Sequence, residues 1–140
     1  NWQAIEAELE RSLSQSGSPA MDLLLQRGRR ALAEERPGAA LAPLTALTDH
    51  APEFAEGWYA RATALFLTGR IGPALSDLHR CLMLEPRHPS ALTGLAVILE
   101  ETDQPGKALE VYRRVLAIHP HAPDVKEAVA RLEARLAKEI

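Results

Sequence analysis

The side chains best equipped for chemistry are few and scattered. His119 and His121 flank Pro120 and offer two imidazoles, the commonest nitrogen ligands for a transition metal, but no third ligand stands near them in sequence. A pair of solvated turn histidines is the simpler reading. Cys81 is the single thiol, so an internal disulfide framework and a cysteine-built zinc site are both excluded. It sits among Ala74, Leu75, Leu78 and Leu82, the company of a buried, unreactive side chain. Phosphate-cradling glycine loops, nucleophile signatures and metalloprotease histidine pairs are absent from the sequence. The expectation is therefore a non-enzyme, with no catalytic residues, no metal and no cofactor. Arg29-Arg30 is too short for an anion or nucleic-acid patch, and Glu6, Glu8 and Glu10 read as a solvated helix face. With 16 basic against 19 acidic residues and a net charge of −3, the chain lacks the electrostatic footprint of a nucleic-acid binder. No apolar run approaches the ~18–20 residues of a membrane span.

The elements that carry these residues are helical and repetitive. The 140 residues are 46% hydrophobic but only 4% aromatic, and alanine and leucine dominate the apolar set, which favours helix over sheet. Pro52, Pro86 and Pro120 are 34 residues apart. The same interval joins Ala40, Ala74 and Ala108; Gly28, Ala62 and Ala96; Leu24, Trp58 and Leu92; and Leu44, Leu78 and Tyr112. Columns in register at one period mark an internal repeat. Each unit reads as two helices. Trp58, Ala62 and Leu65 share one helical face, Thr68-Gly69 ends that helix, and Ala74 to Leu82 form a second one that stops at Glu85-Pro86. Leu92, Ala96 and Leu99 repeat the grammar up to Thr102-Asp103-Gln104, with Pro105 placed to open the next helix. In the first unit the break falls at Glu35-Arg36-Pro37-Gly38. Gly or Ala in two of the columns lets paired helices approach closely, and a larger side chain there would cost on the order of 1–3 kcal/mol.

These columns resemble the tetratricopeptide repeat (TPR) family: an early aromatic or Leu, Gly/Ala four positions later, Ala twelve after that, and a terminal Pro. Trp58, Ala62, Leu65, Ala74, Leu78, Cys81 and Pro86 carry the resemblance, with Leu92, Ala96, Leu99, Ala108, Tyr112, Val115 and Pro120 alongside. Arg30 and His50 depart from the pattern in the first unit, and Arg27 and Arg61 occupy a column where the family usually has Leu and the third unit keeps Leu95. Their long stems favour snorkelling over a paired anion site. The implied fold is an all-α solenoid of three repeats, about 21–54, 55–88 and 89–122. It is flanked by an N-terminal amphipathic helix and linker over 1–20 and a C-terminal capping helix over 123–140. Asp124 is placed to cap that last helix, whose apolar stripe is Val125, Val129, Leu132 and Leu136. In the first flank, Trp2, Ile5, Leu9 and Leu13 form a stripe that must be covered by the first repeat, by the protein's own groove or by a second copy. The whole chain, flanks included, also resembles small secreted alphaproteobacterial TPR proteins, above all through Ser16-Gly17-Ser18-Pro19-Ala20-Met21-Asp22 and the Leu23-to-Arg30 run, which favours the bacterial periplasm over the cytoplasm. Asn1 in place of Met reads as a processed or a trimmed start.

The resemblance implies that the first helix of each unit lines a concave groove. The stripe left over from packing is Leu25, Arg29 and Leu32, then Tyr59, Thr63 and Phe66, then Thr93, Val97 and Glu100, each set on one helical face. The rare aromatics Tyr59 and Phe66 beside Leu25, Leu32 and Val97 suit an apolar helix or extended peptide. The family's carboxylate clamp would need polar side chains at Leu25, Arg29, Ala60, Ser90 and Gly94, and only Arg29 qualifies, so a chaperone tail is disfavoured. The expected function is a non-enzymatic protein–protein adaptor that binds a partner segment in this groove. The alternative is a structural protein that self-assembles into a homodimer through its N-terminal helix or groove.

Overall fold

The computed structural model describes residues 18–139, and every regular element among them is a helix. They are α1 (Pro19–Ala33), α2 (Pro37–His50), α3 (Ala55–Leu67), α4 (Ile71–Leu84), α5 (Pro89–Glu101), α6 (Pro105–Ile118) and α7 (Pro123–Lys138). The expected N-terminal helix, with Trp2, Ile5, Leu9 and Leu13, lies outside the described residues. The chain divides into two compact units, one ending at Asp77 and the other beginning at Leu78.

Proline and a left-handed residue punctuate the helices. Pro19, Pro37, Pro89, Pro105 and Pro123 each open a helix, where the missing N–H costs nothing. Glu35, Gly69 and Asp103, spaced by the period, take φ of 59°, 81° and 58° just after α1, α3 and α5. The next residue in each case, Arg36, Arg70 or Gln104, donates its N–H at 2.8 Å to the carbonyl of Ala31, Leu65 or Leu99. Three carbonyls left over at helix ends are thereby satisfied by one repeated device. The cap expected of Asp124 is not formed. Pro123 takes the first helical position, Ala122 becomes the cap residue, and Asp124 lies in the first turn, where its charge still faces the positive end of the helix.

In the first unit α1, α2 and α3 pack around Leu25, Ala40, Leu44, Leu47, Ala60 and Ala64. The small columns act as expected: a Cβ added to Gly28 would stand 2.4 Å from Leu44 Cδ2, so only glycine admits this crossing of α1 and α2. Trp58 reaches back from α3 and donates its indole N–H to the Pro52 carbonyl at 2.8 Å, tying the inter-helix turn to the helix it leads into. The second unit buries Leu92, Ala96, Ala108, Tyr112 and Val115 with Val125, Val129 and Leu132 of α7. The apolar stripe of α7 thus covers the last repeat. His88 starts α5 in an unusual way: its buried ring accepts the Ala91 N–H at Nδ1, 3.0 Å away, as an N-cap.

Candidate functional site

The residues expected to line a groove fall in both units. In the first unit, α1 supplies Leu25, Arg29 and Leu32, and α3 supplies Tyr59, Thr63 and Phe66. Ala60 and Ala64 on α3 have no bulk, so α1 comes close and Leu25 sinks between the helices to 4% exposure. Leu25 therefore serves packing and not an open surface. Leu32 is half-buried against the same cluster. Arg29 remains exposed, but its guanidinium lies 2.6 Å from the Glu56 carboxylate, bridging α1 to α3. The cation best suited to an incoming carboxylate is thus already neutralised. Tyr59, Thr63 and Phe66 are half-buried along α3. The Thr63 hydroxyl donates to the Tyr59 carbonyl at 3.1 Å, so its polar atom is committed to its own helix. What α3 offers here is an aromatic pair two turns apart, with one closed ion pair linking it to α1.

In the second unit, the Thr93 hydroxyl donates to the Pro89 carbonyl at 2.9 Å, and Val97 is half-buried against the apolar cluster. Glu100 has an internal role that sequence reasoning missed. Its carboxylate accepts from Nη1 and Nη2 of Arg131 on α7 and from the Tyr112 hydroxyl at 3.3 Å. The Arg131 hydrogen bond holds this carboxyl below the usual carboxylate range, and Arg131 is raised in turn. Burial, reinforced by the Glu100 charge, pushes the Tyr112 phenol up to about 12. Arg135 follows one turn on and reaches Asp103 at 2.8 Å, which also raises its pKa. Glu100 is thereby an anchor for α7. The only sequence signal was the meeting of Glu100 with Arg131, 31 residues away, which no period of 34 would flag.

Arg61 is also not the snorkelling side chain expected. It forms a bidentate pair with Asp77, at 2.6 and 2.8 Å, and lies 5.1 Å from the centre of the Trp58 ring. The Asp77 side chain is 3% exposed and that of Arg61 21%. The hydrogen bonding that Arg61 donates to Asp77 holds the guanidinium above its ordinary pKa. Arg27, one period earlier, is exposed, so the two arginines do not act alike. His119 and His121 are exposed turn residues, and the described residues hold no group of three or more His, Cys, Asp or Glu placed to bind a metal. No described helix is long and apolar enough to cross a membrane.

Paired antiparallel helices repeating every 34 residues, with small residues at the crossings and a helix over the last repeat, define a helical repeat protein. Tetratricopeptide-repeat models match residues 25–78 and 72–132, and the chain belongs to the tetratricopeptide-repeat family. It is 35% identical over 134 residues to a TPR repeat-containing protein of Rhizobium etli, a match that covers 96% of this chain and 66% of that protein. Among solved structures, it is similar to the first TPR of Spaghetti (RPAP3) bound to an HSP90 peptide, with a TM-score of 0.80 at 20% identity, over 86% of this chain and 98% of that one. The Sgt2 TPR domain from Aspergillus fumigatus gives 0.78 at 18% identity, over 87% and 82% of the two chains. MamA also gives 0.78 at 18%, over 96% of this chain and 76% of its own. At these identities the likeness is one of fold: an all-α TPR solenoid, typically a non-enzymatic protein-interaction module.

Proposed function

We propose that this chain is a non-enzymatic adaptor that holds an apolar helix or extended segment of a partner protein against the α1–α3 face of its first unit. The observation that carries this reading is the aromatic pair Tyr59 and Phe66, half-buried two turns apart along α3 in a chain with only two Trp, two Tyr and two Phe. Aromatics in such a setting supply large contact area at small entropic cost, and they are the side chains most often found to dominate binding energy. The HSP90 peptide bound by the Spaghetti repeat does not carry over. Of the clamp positions, Leu25 and Ala60 are buried, Gly94 has no side chain, and Arg29 is paired with Glu56. The periplasmic setting belongs to the same proposal, and fractionation of the native cell tests it. For the face itself, affinity capture followed by titration of the captured partner segment is decisive. Tyr59→Ala with Phe66→Ala should weaken binding about 100-fold or more, as expected for two central aromatics. Lys126→Ala on α7 should leave it unchanged. Equal affinity for the double variant and the parent would overturn the assignment.

A further inference from the structure

Along α3 the stripe Tyr59, Thr63 and Phe66 reads large, small, large at i, i+4 and i+7, and all three residues are half-buried. At a rise of about 1.5 Å per residue the two aromatics stand about 10 Å apart along the helix axis, with the smaller Thr63 between them. The polar capacity of this span is small. Thr63 donates its hydroxyl proton to the Tyr59 carbonyl at 3.1 Å. The Phe66 ring has no proton to donate in a hydrogen bond, and the Tyr59 hydroxyl carries a single one. Charge is cancelled at the N-terminal end of the stripe, where Glu56 in the first turn of α3 meets Arg29 of α1 at 2.6 Å.

We infer that the partner segment held against this stripe is an amphipathic α-helix with an uncharged apolar stripe of its own at i, i+4 and i+7, and not an extended chain. The inference rests on the adaptor function proposed for this face and narrows its partner to one class. Backbone accounting selects the helix. About three extended residues, at about 3.3 Å each, would cover the distance between the aromatics. Their N–H and C=O groups would lie against a span that can donate to few of them, and a backbone group desolvated without a partner is costly. A helix closes these hydrogen bonds within itself and presents only side chains. Its stripe also has the period of Tyr59, Thr63 and Phe66, so one branched side chain seats over Thr63 while those one turn away meet the rings. Charge complementarity selects the same partner. Arg29 and Glu56 already neutralise each other, so a charge in the partner's stripe would lose water without gaining a counter-ion.

The test titrates three synthetic peptides of about 20 residues, long enough to be largely helical on an alanine-rich background with Lys and Glu, into the full unsubstituted chain. The first carries leucine at i, i+4 and i+7. The second sets the same leucines at alternate positions between two prolines, which forbid the helix. The third is the first with Glu in place of the middle leucine. Amide resonances report both affinity and place. The helical peptide should shift those of Tyr59, Thr63 and Phe66, and the other two should bind at least tenfold more weakly. Equal or tighter binding of the extended peptide at these residues overturns the inference and leaves the adaptor function standing. Equal binding of the Glu-bearing peptide overturns the uncharged stripe and the inference with it. If none of the three moves these resonances, the inference and the assignment of the face fall together.

Discussion

Arg61 occupies a column that Leu95 fills one repeat later, so Arg61→Leu restores the family's residue and should nevertheless damage the protein. The reason is the carboxylate left behind. The Asp77 side chain is 3% exposed, and its carboxylate accepts two hydrogen bonds from Arg61. Removing the guanidinium leaves a buried charge without compensation, a loss of about 3–5 kcal/mol in comparable sites. Loss of the contact with the Trp58 ring adds roughly 0.5–1 kcal/mol. Against a total stability of about 5–15 kcal/mol, Arg61→Leu should cost about 4 kcal/mol. Removing both charges, as Arg61→Leu with Asp77→Ala, should recover most of that, since replacing a buried pair with apolar groups is often close to neutral. Urea denaturation followed by helical circular dichroism measures each corner of the cycle, and the coupling energy should be about 3 kcal/mol. A single-variant cost below about 1 kcal/mol, or a double variant no better than the single, would refute the reasoning. The pair would then be solvated, and Arg61 would be the snorkelling residue its sequence position suggests.

Further outcomes follow from the backbone and the electrostatics. Glu35 holds the left-handed conformation that Gly69 holds without strain, so Glu35→Gly should raise stability by about 0.5–1 kcal/mol in thermal denaturation. Asp103→Gly should gain less, because it also removes the carboxylate that holds Arg135. Tyr112 is raised in the fold, so the stability it contributes is fully present below pH 10 and lost as pH rises through about 12. Urea midpoints should therefore fall across that window by the equivalent of about 2–3 kcal/mol, and Tyr112→Phe should flatten the dependence.

Periodicity made the architecture legible. The 34-residue columns place α1 to α6, the stripe of Val125, Val129, Leu132 and Leu136 places α7, and the turn at Gly69 and the opening proline of α6 stand where the sequence puts them. The cap of α7 was misjudged because Pro123 competes for the same turn, a choice made by one residue of register. The candidate face was only partly legible. Spacing puts Leu25, Arg29 and Leu32 on one side of α1, but it cannot say how near α3 comes. Ala60 and Ala64 decide that, and they bury Leu25.

By itself, then, the order of residues determined the helices, their pairing and the covering role of α7, because these depend on neighbours within one period and on hydrophobic burial. The polar commitments were left to the tertiary structure. Arg61 finds Asp77 16 residues away, Arg29 finds Glu56 27 away, and Glu100 finds Arg131 31 away. Ion pairs of this kind act over a few ångströms with strict geometry, and no column or spacing encodes such proximity until the helices have packed.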